Sequence, residues 1–98
     1  MTEPINLVEN MIKHFKKMLQ PENTAYNTGW NEAYKTIVDV LEEHPEKTFR
    51  PMLIGEFLAR VKDCFILPYN FKFYIGVMAA TSCIIDYLIH EKFLGEVK

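Results

Sequence analysis

The chain has 98 residues, of which 49% are hydrophobic and 24% charged, with a net charge of -2 and a pI near 5.9. A chain of this length is one domain, 1–98, long enough to bury roughly 60–65% of its unfolded surface without a disulfide or metal staple. The balance of apolar and charged residues excludes a disordered chain, and the mild acidity argues against nucleic-acid binding, which depends on a basic stripe.

The first predicted helix runs from about Ile5 to Leu19. Leu7/Val8, Met11/Ile12, Phe15 and Met18/Leu19 recur at steps of three and four, which gathers them on one face. Thr2 is placed to cap it, Pro4 suits its first turn, and Pro21 ends it. Its basic cluster, Lys13, Lys16 and Lys17, lies near Glu9 and Glu22 and reads as a solvated face. A polar loop, Pro21 to Asn27, leads to a second helix from about Thr28 to Glu43. Trp30, Ala33/Tyr34, Ile37/Val38 and Leu41 form its apolar face, and Glu32, Lys35, Asp39, Glu42 and Glu43 its wet face. Asn27 or Thr28 caps it and Pro45 stops it. The third helix opens at Pro51 and extends to about Ile66, with Leu53/Ile54, Phe57/Leu58, Val61 and Phe65 facing inward, and Pro68 breaks it. Asn70 caps the last helix, from about Phe71 to Leu94, about 36 Å long, with Gly95 as a left-handed C-cap. The aromatic and β-branched run Phe71 to Val77 leaves a short strand as the alternative at its start. The expected fold is all-α, a compact bundle of about four helices with a long, highly apolar C-terminal helix.

That last helix has little polar surface. Lys72, Asp86 and His90 fall close to one stripe, with Gly76, Ala79 and Cys83 between them, and nearly everything else is large and apolar. More than half of its circumference therefore calls for burial, either as the central helix of the bundle or against a second copy of the chain. The small residues Gly76, Ala79, Ala80 and Cys83 permit close backbone approach and form the expected oligomer interface, with an isologous homodimer as the default symmetry. The apolar stretch from Phe73 to Ile89 is short for a membrane span and carries Asp86, Thr81 and Ser82, so a buried helix is expected and a membrane is not. Cys64 and Cys83 belong to no CxxC pair or Cys/His cluster, and the Met-Thr-Glu-Pro start lacks a signal peptide's basic and apolar regions. A reduced, cytoplasmic location is expected, with both cysteines acting as small apolar residues.

Chemistry-bearing patterns are few. Tyr26, Trp30 and Tyr34, spaced by four, form an aromatic ladder with Asn27 and Asn31 beside it. This is either a partner-contact stripe, a base-stacking platform or a face packed into the core. The aromatic break containing Tyr69 and Phe71 is the second candidate contact. Asp86 and His90 are four apart, a spacing that lets a carboxylate orient an imidazole, but no neighbour supplies a nucleophile or a third ligand. His14 and His44 stand singly, and Glu42, Glu43, His44 and Glu46 match no ion-binding loop. Gly29, Gly55, Gly76 and Gly95 are isolated, so no phosphate-cradling loop exists, and no G-x-S-x-G or H-E-x-x-H is present. A helix-turn-helix across the second and third helices has only Arg60 and Lys62 to read bases. No catalytic residue, metal or cofactor is expected.

The stretch Asn27-Thr28-Gly29-Trp30-Asn31-Glu32-Ala33-Tyr34, followed by Ile37, Val38, Leu41, Glu42 and Glu43, resembles a pattern of small accessory proteins of tailed bacteriophages, in which a Gly-aromatic-Asn-x-Ala turn leads into an amphipathic helix. The resemblance covers about 17 residues. It implies a phage accessory product in the host cytoplasm that binds and inhibits a host protein or sequesters a host signal. The functional expectation is thus a non-catalytic binding module with a protein partner, contacting it through Tyr26, Trp30, Tyr34, Tyr69 and Phe71. The alternative is a nucleotide-type small-molecule binder with a pocket at a subunit interface, its mouth lined by Arg50, Arg60 and Lys72.

Overall fold

A computed structural model describes residues 4–43, 50–66 and 70–90. They form four helices, α1 (Pro4–Lys17), α2 (Ala25–Glu43), α3 (Arg50–Val61) and α4 (Phe71–His90), and a 3₁₀ turn (Lys62–Phe65) that continues α3. There is no strand among the described residues, and Phe71 to Val77 is helical from its first residue. The cap of α4 is the one expected from sequence: the Asn70 side-chain oxygen accepts the Phe73 N–H at 3.0 Å. The start of α2 differs. Thr24 is the cap, accepting the Asn27 N–H at 3.0 Å, so the helix begins three residues before Thr28. Asn27 instead turns its amide back to donate to the Pro21 carbonyl at 2.9 Å. Gly95, and the last turn expected up to Leu94, lie outside the described residues.

The core draws on all four helices. Phe15 of α1, Ile37 and Leu41 of α2, Phe57 of α3, and Phe73 and Ile84 of α4 are all buried. The most extensive packing in the molecule is α2 on α4. Gly29 and Gly76 explain it. A Cβ on Gly29 would overlap the Phe73 carbonyl oxygen and lie 3.1 Å from the Val77 nitrogen. One on Gly76 would overlap the Tyr26 carbonyl oxygen and lie 2.9 Å from the Trp30 nitrogen. The two backbones therefore touch, as small residues allow wherever they meet across a helix pair. Ala33 and Ala80, one turn further along each helix and fully buried, continue the seam before Ile37 and Ile84 widen it.

The partners advance together along both helices: Gly29 meets Phe73 and Val77, and Tyr34 lines one cleft with Cys83. So α2 and α4 run parallel. In an up-and-down bundle, parallel helices lie on a diagonal; here the glycines bring that diagonal pair into contact. The remaining helices flank the pair, α1 along α2, and α3 against both α2 and α4. Leu58 and Phe65, expected to face inward, are exposed together with Leu19. Among the described residues, no element lies beyond the outer side of α3 and α4 to cover Leu58 and Phe65, while Leu19 lies beyond the end of α1, beside α2.

The glycine seam has a direct test. Gly29→Ala and Gly76→Ala should each cost about 1–3 kcal/mol in chemical denaturation, because backbone atoms, unlike side-chain tips, cannot step aside. Gly55→Ala should do the opposite. No atom lies within 4 Å of a Cβ at that exposed helical site, so the better helix propensity should add about 0.5–1 kcal/mol. Three variants with equal midpoints would rule out the backbone contact.

Candidate functional site

The aromatic ladder exists. The Tyr26 and Trp30 rings stack at 6.3 Å between centroids, and Trp30 meets Tyr34 at 5.2 Å. The row then crosses between helices, from Tyr34 to Phe15 at 5.9 Å, to Tyr87 at 5.2 Å, and to His14, stacked on Tyr87 at 4.3 Å. Its use differs from the expectation of a partner-contact stripe. Tyr34 is only 2% exposed, and burial pushes its phenol up to about 12. Trp30 is half-buried, and its indole N–H donates to the Met18 carbonyl at 2.8 Å. Tyr26 alone keeps substantial exposure. Most of the ladder is inner packing that ties α1 to α2 and α4.

Asn31 has a similar part. It is the one buried polar residue among those described, and it accepts the Gln20 N–H at 2.8 Å while donating to the Gln20 carbonyl at 2.7 Å. The same amide donates to a Glu22 carboxylate oxygen at 3.0 Å, and Lys35 donates to that oxygen at 3.1 Å. These bonds, Asn31 first, hold the Glu22 carboxyl below its ordinary range. Two backbone groups that close the α1–α2 connection are thereby satisfied by one side chain. The Gly-Trp-Asn-x-Ala pattern is thus a folding device: Gly29 and Ala33 admit α4, and Trp30 and Asn31 fasten the connection.

The other expected residues are dispersed. Gly76 and Ala80 are buried against α2, so their close approach is made within the chain and not to a second copy. Ala79 is half-buried and Cys83 exposed, on the flank of α4. Cys64 is buried, which raises its thiol above the ordinary range. Arg60 does not stand free to meet an anion. It donates to both Glu43 oxygens at 2.9 and 2.6 Å and to Glu56 at 2.8 Å, which holds the guanidinium above its ordinary value. Lys72 is exposed on α4, Arg50 opens α3, and Tyr69 lies outside the described residues, as do His44 and Glu46. His14 is brought by packing to the cleft that Cys83, Asp86, Tyr87 and His90 line, a grouping invisible in sequence. There His90 and Asp86 approach to 3.7 Å, both well exposed, which is an ordinary pair one helical turn apart. No group of three metal-binding side chains forms among the described residues.

One feature of α4 was not singled out in sequence. Opposite the face that packs on α2, Phe71, Ile75, Met78, Ser82, Ile85 and Ile89 follow one another at steps of four, three, four, three and four. Phe71 is 74% exposed, Met78 59% and Ile89 47%. The row continues sideways into an apolar groove between α3 and α4, lined by Leu58, Val61, Phe65, Met78 and Thr81. Helix α4 is also long and apolar enough to cross a membrane by length and composition alone, as core helices of soluble proteins often are. Comparison of the chain with protein-family models, with curated proteins and with solved structures gives no match.

The buried phenol makes a pH prediction. An unfolded tyrosine ionises near 10, while Tyr34 holds its proton to about 12. The folded state then binds more protons than the unfolded one between those values, so stability falls as pH rises through that window. Tyr34→Phe should flatten this alkaline decline in thermal melts; an equally steep decline would mean that the hydroxyl is not held from water.

Proposed function

We propose that this chain is a non-catalytic binding module that engages a helical protein surface through the outer face of α4. The observation that carries the reading is the row of exposed Phe71, Ile75, Met78 and Ile89, with half-buried Ile85 in line, which has the heptad spacing of a helix seam rather than the scatter of ordinary surface hydrophobics. A large apolar side chain left fully in water forgoes about 1.5–3 kcal/mol of burial, and side chains in register at this spacing are the anchors by which one helix docks against a groove or another helix. The opposite face of α4 is committed to α2 through Gly76, and Asp86 is exposed on its flank, which favours a protein partner over insertion in a bilayer.

The contact residues are therefore Phe71, from the sequence expectation, together with the α4 row and the bordering Leu58 and Phe65. The Tyr26–Trp30–Tyr34 ladder supports the fold behind them. The likeness to phage accessory proteins makes a host protein the natural target, and inhibition by occupation the natural action. The small-molecule alternative is weaker, because the carboxylates of Glu43 and Glu56 already occupy Arg60.

Affinity capture with mass spectrometry tests the reading. Wild type, Met78→Asp and Trp30→Phe serve as baits. Met78→Asp should lose the captured protein while keeping its helical circular dichroism, and Trp30→Phe, altered away from the α4 face, should keep it. Equal capture by wild type and Met78→Asp would remove the α4 face from the proposal.

A further inference from the structure

Resting on that reading, we infer that the helix which covers the outer face of α4 is α4 of a second copy of this chain, laid antiparallel across it about a two-fold axis near Ala79 and Ala80. The row itself carries the argument. In heptad terms Phe71, Met78 and Ile85 occupy one seam position, and Ile75, Ser82 and Ile89 the other. An antiparallel pair sets the first kind against the second. Centred on Ala80, this puts Phe71 against the partner's Ile89, Ile75 against the partner's Ile85, and Met78 against the partner's Ser82. All six layers close on one register. The longest flexible side chain meets the smallest, and the aromatic end meets an aliphatic one. The small hydroxyl of Ser82 thus lies under an exposed thioether instead of facing its own copy.

Charge selects the same orientation. Lys72 and Asp86 are both exposed on the same flank of the seam, a few residues from its two ends, with half-buried Ala79 midway between them. Antiparallel packing brings each flank against its own counterpart reversed, so Lys72 faces the partner's Asp86 twice, once on each side of the axis. Parallel packing offers no such match. It places each Phe71 on Phe71 and each Ser82 on Ser82, and sets the Lys72 flank against the other edge of the row, where half-buried Tyr74 and Thr81 carry no charge. Leu58 and Phe65 stand beside the row and extend the covered area beyond α4. The small residues Gly76 and Ala80 take no part, since they face α2. The two-fold contact is made by large side chains on the other side of the helix.

Sedimentation equilibrium of the purified chain is the first measurement, and wild type is expected to dimerise with a Kd in the micromolar range or tighter. Met78→Asp, at a site already in water, should weaken association by about 100-fold or more, since a carboxylate must be stripped of water at the seam centre. The register is read by crosslinking in a Cys83→Ser background, which leaves only the buried Cys64. A short bismaleimide linker should join Lys72→Cys to Asp86→Cys when the two variants are mixed, and join neither variant to itself. A wild-type chain that stays monomeric at millimolar concentration overturns the inference. So does a dimer in which the mixed Lys72→Cys and Asp86→Cys variants do not join, since its helices are then not antiparallel in this register. A monomer that still captures a different protein through Met78 would overturn self-pairing alone and leave the binding-module reading standing; loss of both would sink the two together.

Discussion

The contact of Gly29 with the backbone of α4, and of Gly76 with that of α2, sets the terms for the rest of the molecule. Two parallel helices that touch at their main chains bury little large side-chain volume between them. The bulky core residues must therefore collect on either side of the seam. Phe15 and Tyr34 do so on the α1 side, and Phe57 and Phe73 are buried with them in the same continuous core. The flanking helices are held by what the central pair leaves available, which is why α1 needs additional fastening at its connection to α2.

That fastening is polar and local. Asn31 spends three hydrogen bonds on Gln20 and Glu22, and Trp30 spends its only donor on Met18. Each bond alone is a modest net gain of about 1 kcal/mol. Their joint effect is geometric: the chain leaving α1 is fixed at Met18, Gln20 and Pro21, so the turn into α2 has one course. Asn31 is buried because a backbone N–H and C=O of the same residue need a two-sided partner, and an amide is the side chain that offers both.

Much of this fold was legible in the sequence. The prolines and the three-and-four apolar steps gave four helices, and Asn70 was recognisable as a cap because its oxygen sits three residues before an N–H that needs an acceptor. The α2 start was displaced because Thr24, Asn27 and Thr28 are all capping types, and only the geometry at Pro21 chooses among them. The aromatic ladder was legible as spacing but not as use, since the same four-residue step serves an exposed stripe or an inner one. Of the small residues of α4, Gly76 is a site of close approach and Ala80 is buried, while Ala79 and Cys83 lie on the flank, and spacing cannot say which helix approaches. The Phe71–Ile89 row is masked in the sequence because nearly all of α4 is apolar, and only the packing divides its apolar residues into two faces.

Those two faces point in opposite directions, and a sum of hydrophobic vectors around the helix axis largely cancels. Helix α4 therefore looks uniformly greasy while carrying two separate instructions. The inner one combines Gly76, where an added Cβ meets backbone, with Ala80 and the buried Phe73, Val77, Ile84 and Leu88. The outer one is carried by Phe71, Ile75, Met78 and Ile89, which stay exposed. A substitution at Met78 therefore leaves the contact with α2 untouched, whereas one at Gly76 cannot.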